Sequence, residues 1–212
     1  MKVLITGGSR GIGKSICDKF AKEGHEVIAP SRDELNLSEI IDINFQKIDI
    51  VINNAGVNFP QSILDISNEE EIMKVNYFSP LKIIQHCLPH MQHQYFGRIL
   101  NIGSIWVDFA KPGRSAYSAS KNALHSLTKA ITSEYGTYNI LANTLSPGFI
   151  MTDMTKQNNS EEDLINIRSK IPIGRLGYPD EVAKLAYFLT VENSYISGQN
   201  IVIDGGYSCT AK

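Results

Sequence analysis

Short runs of consecutive apolar residues alternate with amphipathic stretches along the whole chain. "KVLIT" opens it, followed by glycines and then "GIGKSICDKFAKEG", whose apolar positions recur at helical spacing and stop at a glycine. "HEVIAPS" and "IDIVINNAG" are the next two apolar runs, each closed by turn residues. Between "DISN" and "HQYFG" the pattern predicts one long helical segment, opened by Ser67 three residues ahead of Glu70, the spacing of a capping box. "GRILNIGS" and "NILANTLSPG" read as strands on either side of the helix "SAYSASKNALHSLTKAITSEYG". "TDMTKQNNSEED" is polar enough to predict a loop, "PDEVAKLAYFLTV" opens with proline where a helix starts, and "QNIVIDGG" reads as a last strand. Strands separated by helices pair in parallel through right-handed crossovers, and strands this continuously apolar are covered on both faces. The expectation is one α/β domain over residues 1–212, built on a doubly wound parallel sheet.

Composition narrows the partners. The 212 residues carry a net charge of −2, which lacks the basic excess of a nucleic-acid binder. No apolar run approaches the ~20 residues of a membrane span. The start, "MKVLITGGSRG", turns glycine-rich too soon for a signal-peptide core. Cys17, Cys87 and Cys209 are scattered without metal or redox spacing, as free thiols in a reducing compartment would be, so a cytoplasmic protein is expected. His86, His90 and His93 share one helix face, but Pro89 lies among them and no carboxylate completes a ligand set; no metal is expected.

"ITGGSRGIGKSI" joins the first strand to the first helix, the context in which a glycine pattern becomes a nucleotide-site hypothesis. Gly7, Gly11 and Gly13 let the backbone turn tightly and approach a pyrophosphate seated on the helix N-terminus, with Ser9, Arg10 and Ile12 between them. At the end of the second strand an acid selects NAD and an arginine accommodates the 2′-phosphate of NADP. Ser31 and Arg32 stand there and favour NADP(H) over NAD(H), with Arg10 adding charge; Asp33, next in the chain, is the acid that an NAD site would use.

"YSASK" places Tyr117 four residues before Lys121, on one face of a helix. A phenol is a poor acid or base at neutral pH, with a reference pKa near ~10, and a nearby ammonium favours its ionised form. Such a pair suits proton transfer to an oxygen whose carbon exchanges a hydride.

Taken in order, "TGGSRGIG", "NNAG" at residues 53–56, Asn76 in "VNYFSP", Ser104 in "NIGS", "YSASK", "SPGFIMTDMT" and "DGG" resemble the short-chain dehydrogenase/reductase family over essentially the full length. The resemblance is to its compact branch, and most to its 3-oxoacyl-[acyl-carrier-protein] reductases. It implies a Rossmann-like sheet. Only about 20 residues separate Ser31 from the "IDIVINNAG" strand, too few for the family's helix and third strand, so six main strands are expected with the third, edge strand shortened to a stub around "LNL". It also implies a catalytic set of Asn76, Ser104, Tyr117 and Lys121. Tyr117 is the general acid/base, Ser104 holds the substrate oxygen, Asn76 holds a relay water, and Lys121 also binds the cofactor ribose. Leu37 with Asn36 lines the adenine, Asn54, Ala55 and Gly56 lie against the cofactor, and Pro147, Gly148, Ile150 and Thr152 hold the nicotinamide end. Trp106, Val107 and Phe109 shape the substrate pocket. The resemblance implies a homotetramer or homodimer.

The function expected is hydride transfer between NADP(H) and a small carbonyl or secondary alcohol. A 3-oxoacyl-thioester reductase is the alternative, although Tyr95 and Tyr138 replace the basic residues expected to dock an acidic carrier at the pocket mouth. A nucleotide-binding regulator without catalysis is the third reading.

Overall fold

The computed structural model describes residues 1–39, 43–109, 111–157 and 159–210, and nothing is said of the side chains of residues 154 and 157. Strands β1 (Lys2–Ile5), β2 (Glu26–Ile28), β3 (Ile50–Asn53), β4 (Gly97–Ile102), β5 (Ile140–Pro147) and β6 (Asn200–Ile203) form one parallel sheet in the order β2-β1-β3-β4-β5-β6. Because successive side chains of a strand point to opposite faces, the apolar runs divide between two cores. Leu4, Val51, Ile99 and Ala142 pack under α3 (Ser79–His93) and α4 (Ser115–Tyr135) through Ile83, Ile84, Met91 and Ile131. Val3, Ile5, Ile50, Ile52, Leu100 and Leu145 pack under α1 (Gly11–Lys22) and α7 (Pro179–Tyr187) through Ile16, Phe20, Val182, Ala183 and Ala186. The order reverses direction beside β1, which opens a crevice at the carboxyl ends of β1 and β3.

Three local expectations need correction. The edge strand is absent among the described residues: 35–37 pair with no strand, and Leu35, Leu37, Ile43 and Phe45 instead fold back onto the α3 side of the core. Burial of those four apolar side chains replaces the missing layer. The long helical segment starts at α2 (Glu69–Met73) behind Asn68, with no side-chain cap; Ser67 bonds to Asn68 and Gln61 instead of closing a capping box. The segment then widens into a π-helical turn, Lys74–Phe78, before α3 begins. The polar stretch after β5 holds α5 (Asp153–Gln157) and leads into α6 (Glu161–Ser169), which does carry a capping box between Ser160 and Asp163. Among the described residues no helix is long and apolar enough to cross a membrane.

Candidate active site

The glycine loop lies where β1 hands over to α1. Gly7 and Gly11 adopt φ of 68° and 54°, conformations that a side chain resists. A Cβ on Gly13 would sit 2.1 Å from the Gly7 carbonyl oxygen and 2.4 Å from Asn54 Nδ2, so only glycine lets the helix start this close to the loop. Asn54 fixes the loop from the neighbouring strand, donating to the carbonyls of Thr6 and Gly7 at 3.0 Å each. No side chain caps α1 and its first turn holds no acid, so its amides face the cleft ready for an anion. That arrangement fits a dinucleotide pyrophosphate.

A cleft of about 420 Å³ runs from this loop along the carboxyl edge of the sheet. Gly7, Ser9, Arg10, Gly11, Ile12 and Gly13 line one end, and Asn54, Ala55 and Gly56 its floor. Ser104, Trp106, Tyr117, Lys121, Pro147, Gly148, Ile150 and Thr152 line the other. Sequence reasoning missed Asn58, Ile102, Gly103, Asp153 and Thr155, which follow the same strand ends and join the lining. Ile102 and Gly103 lie within "NIGS" and Asp153 and Thr155 within "SPGFIMTDMT", so the motifs themselves were the available signal, and Asn58 stands two residues past "NNAG".

Several expected residues stand elsewhere. Ser31, Arg32 and Leu37 are not in the cleft's lining. β2 ends at Ile28, and the chain turns so that Glu34 accepts from the Ser31 amide at 2.8 Å while Ser31 Oγ faces the Glu34 amide at 3.4 Å. Hydrogen bonds from the Ser31 amide and, in smaller measure, the Ser31 hydroxyl hold the Glu34 carboxyl below its usual range. The acid engaged at this strand end is therefore Glu34, which the sequence reading passed over for Asp33. Leu37 is buried in the core, and its carbonyl accepts from Ser79. Asn36 closes a local turn with Ser38 and Glu39. Val107 and Phe109 also lie outside the lining; the Val107 carbonyl accepts from Asn122. Tyr95 and Tyr138 stack with centroids 5.5 Å apart just ahead of β4 and β5, at the amino edge of the sheet. They are not at the mouth of this chain's cleft, so their lack of charge says nothing about docking there.

The catalytic candidates gather around the first turn of α4. Lys121 is buried and donates to the Ile102 carbonyl at 2.7 Å. Burial lowers its pKa to about 8. Its Nζ lies 5.7 Å from the centre of the Tyr117 ring. The Tyr117 phenol is pushed up by burial and pulled down, in smaller measure, by a hydrogen bond from Ser104 and the charge of Arg114. Burial thus outweighs the pulls of Ser104 and Arg114 and favours the protonated phenol, while Lys121, beside the ring, is not among the groups that lower it. Ser104 is placed by the end of β4, and its Oγ also accepts from the Trp106 amide at 3.3 Å.

Asn76 is fully buried in the π-helical turn, a wider turn found often at functional sites. Its amide is committed to the protein: Nδ2 donates to Val57 O and Ser120 Oγ at 3.0 Å each, and Oδ1 accepts from Val57 N at 2.9 Å. Ser120 in turn donates to the Tyr117 carbonyl at 2.7 Å. Asn76 therefore braces the floor of the cleft against the helix that carries Tyr117 and Lys121. Behind it, Asn53 donates to Asn101, and Asn101 to Thr128 of α4, tying β3, β4 and α4 together. Outside the cleft, His86 bonds to Phe45 O at 2.7 Å and His90 lies 3.7 Å from Asp49.

A glycine-lined helix N-terminus and a tyrosine beside a buried lysine on one cleft define a nucleotide-dependent oxidoreductase. Comparison with known proteins gives the family. Residues 1–44 match the family described as short chain dehydrogenase, and residues 35–208 match that described as Enoyl-(Acyl carrier protein) reductase. The 3-oxoacyl-[acyl-carrier-protein] reductase FabG of Aquifex aeolicus is 35% identical, covering 96% of this chain and 95% of its own. Carbonyl reductase family member 4 of Xenopus laevis is 33% identical, covering 95% of each. The solved structure titled "ElxO with NADP Bound" superposes with a TM-score of 0.88 at 29% identity and covers 99% of both chains. The chain belongs to the short-chain dehydrogenase/reductase family and is an NAD(P)-dependent oxidoreductase acting on CH–OH and C=O groups.

Proposed function

We propose that this protein reduces small carbonyl compounds with NADPH, and oxidises the corresponding alcohols in reverse. The observation that carries the reading is the meeting of Ser104, Tyr117 and Lys121 with the glycine loop in one cleft. When bound, the nicotinamide supplies the hydride for reduction or accepts it for oxidation. Gly7, Gly11 and Gly13 with the amides of α1 hold the pyrophosphate, Asn54, Ala55 and Gly56 support the ribose, and Pro147, Gly148, Ile150 and Thr152 hold the nicotinamide end. Ser104 hydrogen-bonds the substrate oxygen and aligns it with the phenol. Tyr117, protonated at neutral pH, gives its proton to that oxygen in reduction and takes it back in oxidation. Lys121, lodged between Ile102 O and the floor of the cleft, contributes positive charge on that side of the phenol when protonated. Asn76 positions both through Ser120.

Preference for NADP(H) is supported by Arg10 in the cleft and by solved relatives whose titles name bound NADP. Glu34 opposes a 2′-phosphate, and Arg32, exposed beside it, offsets that charge. Assembly as a homodimer or homotetramer belongs to the same proposal; a shallow apolar groove at Met73 and Phe78 on the α2–α3 segment supports it.

The names of the relatives favour one second reading, reduction of a 3-oxoacyl thioester. Incubating purified protein and NADPH with acetoacetyl-CoA, and in parallel with small ketones, separates the two. Loss of NADPH absorbance with the ketones alone supports the first reading, and loss with the thioester alone supports the second. No oxidation of NADPH or NADH by any carbonyl would leave the non-catalytic regulator.

A further inference from the structure

The turn that leads into α7 stands outside the lining of the cleft, yet it holds a segment that lies in it. Past Gly148, whose amide donates to Ile203 O at 2.9 Å, the chain leaves the sheet and runs through Ile150 and Thr152, both in the lining. Two bonds to Gly177 take over there: its amide donates to Phe149 O at 2.9 Å, and the Met151 amide donates to Gly177 O at 2.8 Å. The fit is close, since a Cβ on Gly177 would meet Ile150 Cδ1 at 2.7 Å. Gly177 is itself held by one carboxylate, that of Glu181 in the first turn of α7. Its Oε1 accepts from Arg175 Nη2 at 2.7 Å, and its Oε2 accepts from Arg175 Nη1 at 2.9 Å and from the Tyr178 amide at 2.8 Å. Arg175 Nη1 also donates to Leu176 O at 3.0 Å. Residues on both sides of Gly177 are thus pinned to one side chain, on a helix rooted in the core by Val182, Ala183 and Ala186. The guanidinium fork and, in smaller measure, the Tyr178 amide bring the Glu181 carboxyl down to about 2, so it is ionised near neutrality.

We propose that Arg175 and Glu181 are positioning residues for hydride transfer: their ion pair fixes Gly177, Gly177 fixes residues 149–151, and these set the depth at which Ile150 and Thr152 receive the nicotinamide. This deepens the reading above and rests on its assignment of that segment to the nicotinamide end. An isolated ion pair at a surface contributes little. This one is a bidentate fork, the stronger and more directional form, and it stands between a helix anchored in the core and the wall of the cleft. Small movements matter at that wall, because a misplacement of about 1 Å at the reacting atoms can cost ~100-fold in rate. Thr152 carries the same restraint toward the pyrophosphate end, since a Cβ on Gly11 would lie 3.4 Å from its Cγ2.

The test compares Glu181→Ala and Arg175→Ala, alone and combined, with the native chain in two measurements. Amide hydrogen exchange at Met151 and Gly177 reads the clamp without any cofactor. Calorimetric affinities for NADPH and for 2′-phospho-ADP-ribose, which lacks only the nicotinamide, read its effect on the site. Exchange at both amides is expected to quicken at least ~5-fold, with the amides of β4 unchanged, which also shows that the variants are folded. NADPH affinity is expected to fall at least ~5-fold, with that of 2′-phospho-ADP-ribose within about twofold of native. The double variant is expected to be no worse than Glu181→Ala, because the two side chains act as one unit. Arg175→Lys, which keeps one charged bond, is expected to retain part of the native behaviour. If Glu181→Ala does not fold, Glu181→Gln, which still accepts from the Tyr178 amide, gives the same two readouts. Unchanged exchange, or equal weakening of both ligands, would overturn the proposal and leave the reductase reading standing. Faster exchange with NADPH affinity unmoved would overturn both the proposal and the assignment of residues 150 and 152 to the nicotinamide end.

Discussion

Replacing Lys121 with methionine is expected to change how the cofactor-free protein responds to pH, in a direction set by burial. The side chain is 3% exposed, bonds only to the Ile102 carbonyl, and joins no salt bridge among the described residues. Its pKa falls from the ordinary 10.5 to about 8. At about 1.4 kcal/mol per pH unit, keeping it protonated in the fold costs about 3 kcal/mol relative to the unfolded chain. Between pH 8 and 10.5 the unfolded chain binds more protons, so this cost is full at lower pH, shrinks as pH rises and is gone above 10.5. Between pH 7 and 9 the relief amounts to about 1 kcal/mol. Cys87, pushed up to about 12 by burial, acts in the opposite sense at high pH, so the native profile alone does not isolate the lysine. The difference between native protein and Lys121→Met does. Urea unfolding at pH 7 and pH 9 is expected to show the native protein gaining about 1 kcal/mol on the variant. Parallel responses of the two proteins would refute the idea that an uncompensated ammonium is buried beside the cleft.

Gly13→Ala is expected to weaken NADPH binding at least ~10-fold in a fluorescence titration, because the added methyl meets the Gly7 carbonyl at 2.1 Å and displaces the loop. Unaltered affinity would show that this loop does not carry the pyrophosphate. Arg10→Ala is expected to raise Kd for NADPH about 10-fold more than for NADH, since one charge-assisted phosphate contact is lost; equal effects on both cofactors would remove Arg10 from the 2′-phosphate. Asn76→Ala leaves Val57 N and O without their buried partner and is expected to cost at least ~2 kcal/mol in thermal unfolding, with turnover falling as α4 loosens. A stable variant with native turnover would show that the brace is dispensable.

Much of this was legible in the sequence because the relevant signals are local. The glycine spacing, the alternation of apolar runs and helices, and the Tyr117–Lys121 separation each act over a few residues, and each sits in the structure as read. What stayed hidden depends on partners far along the chain. The loop after β2 shows this: among the described residues 35–37 form no strand, Glu34 turns back onto Ser31, and Leu37 packs into the core, none of which a local spacing signals. The bracing role of Asn76 was equally hidden, since Ser120 becomes its partner only when the π-helical turn packs on α4. Helical spacing gives the lysine beside Tyr117, but only the fold gives the burial that pushes the phenol up.

Single-turnover and steady-state rates of Tyr117→Phe with NADPH and a turned-over carbonyl test the proton-transfer role most directly. The variant loses one hydroxyl and keeps the ring. The account predicts turnover at least ~100-fold lower, with NADPH affinity within about twofold of native. Native turnover in that variant would contradict it, for the proton would then reach the substrate oxygen by another route.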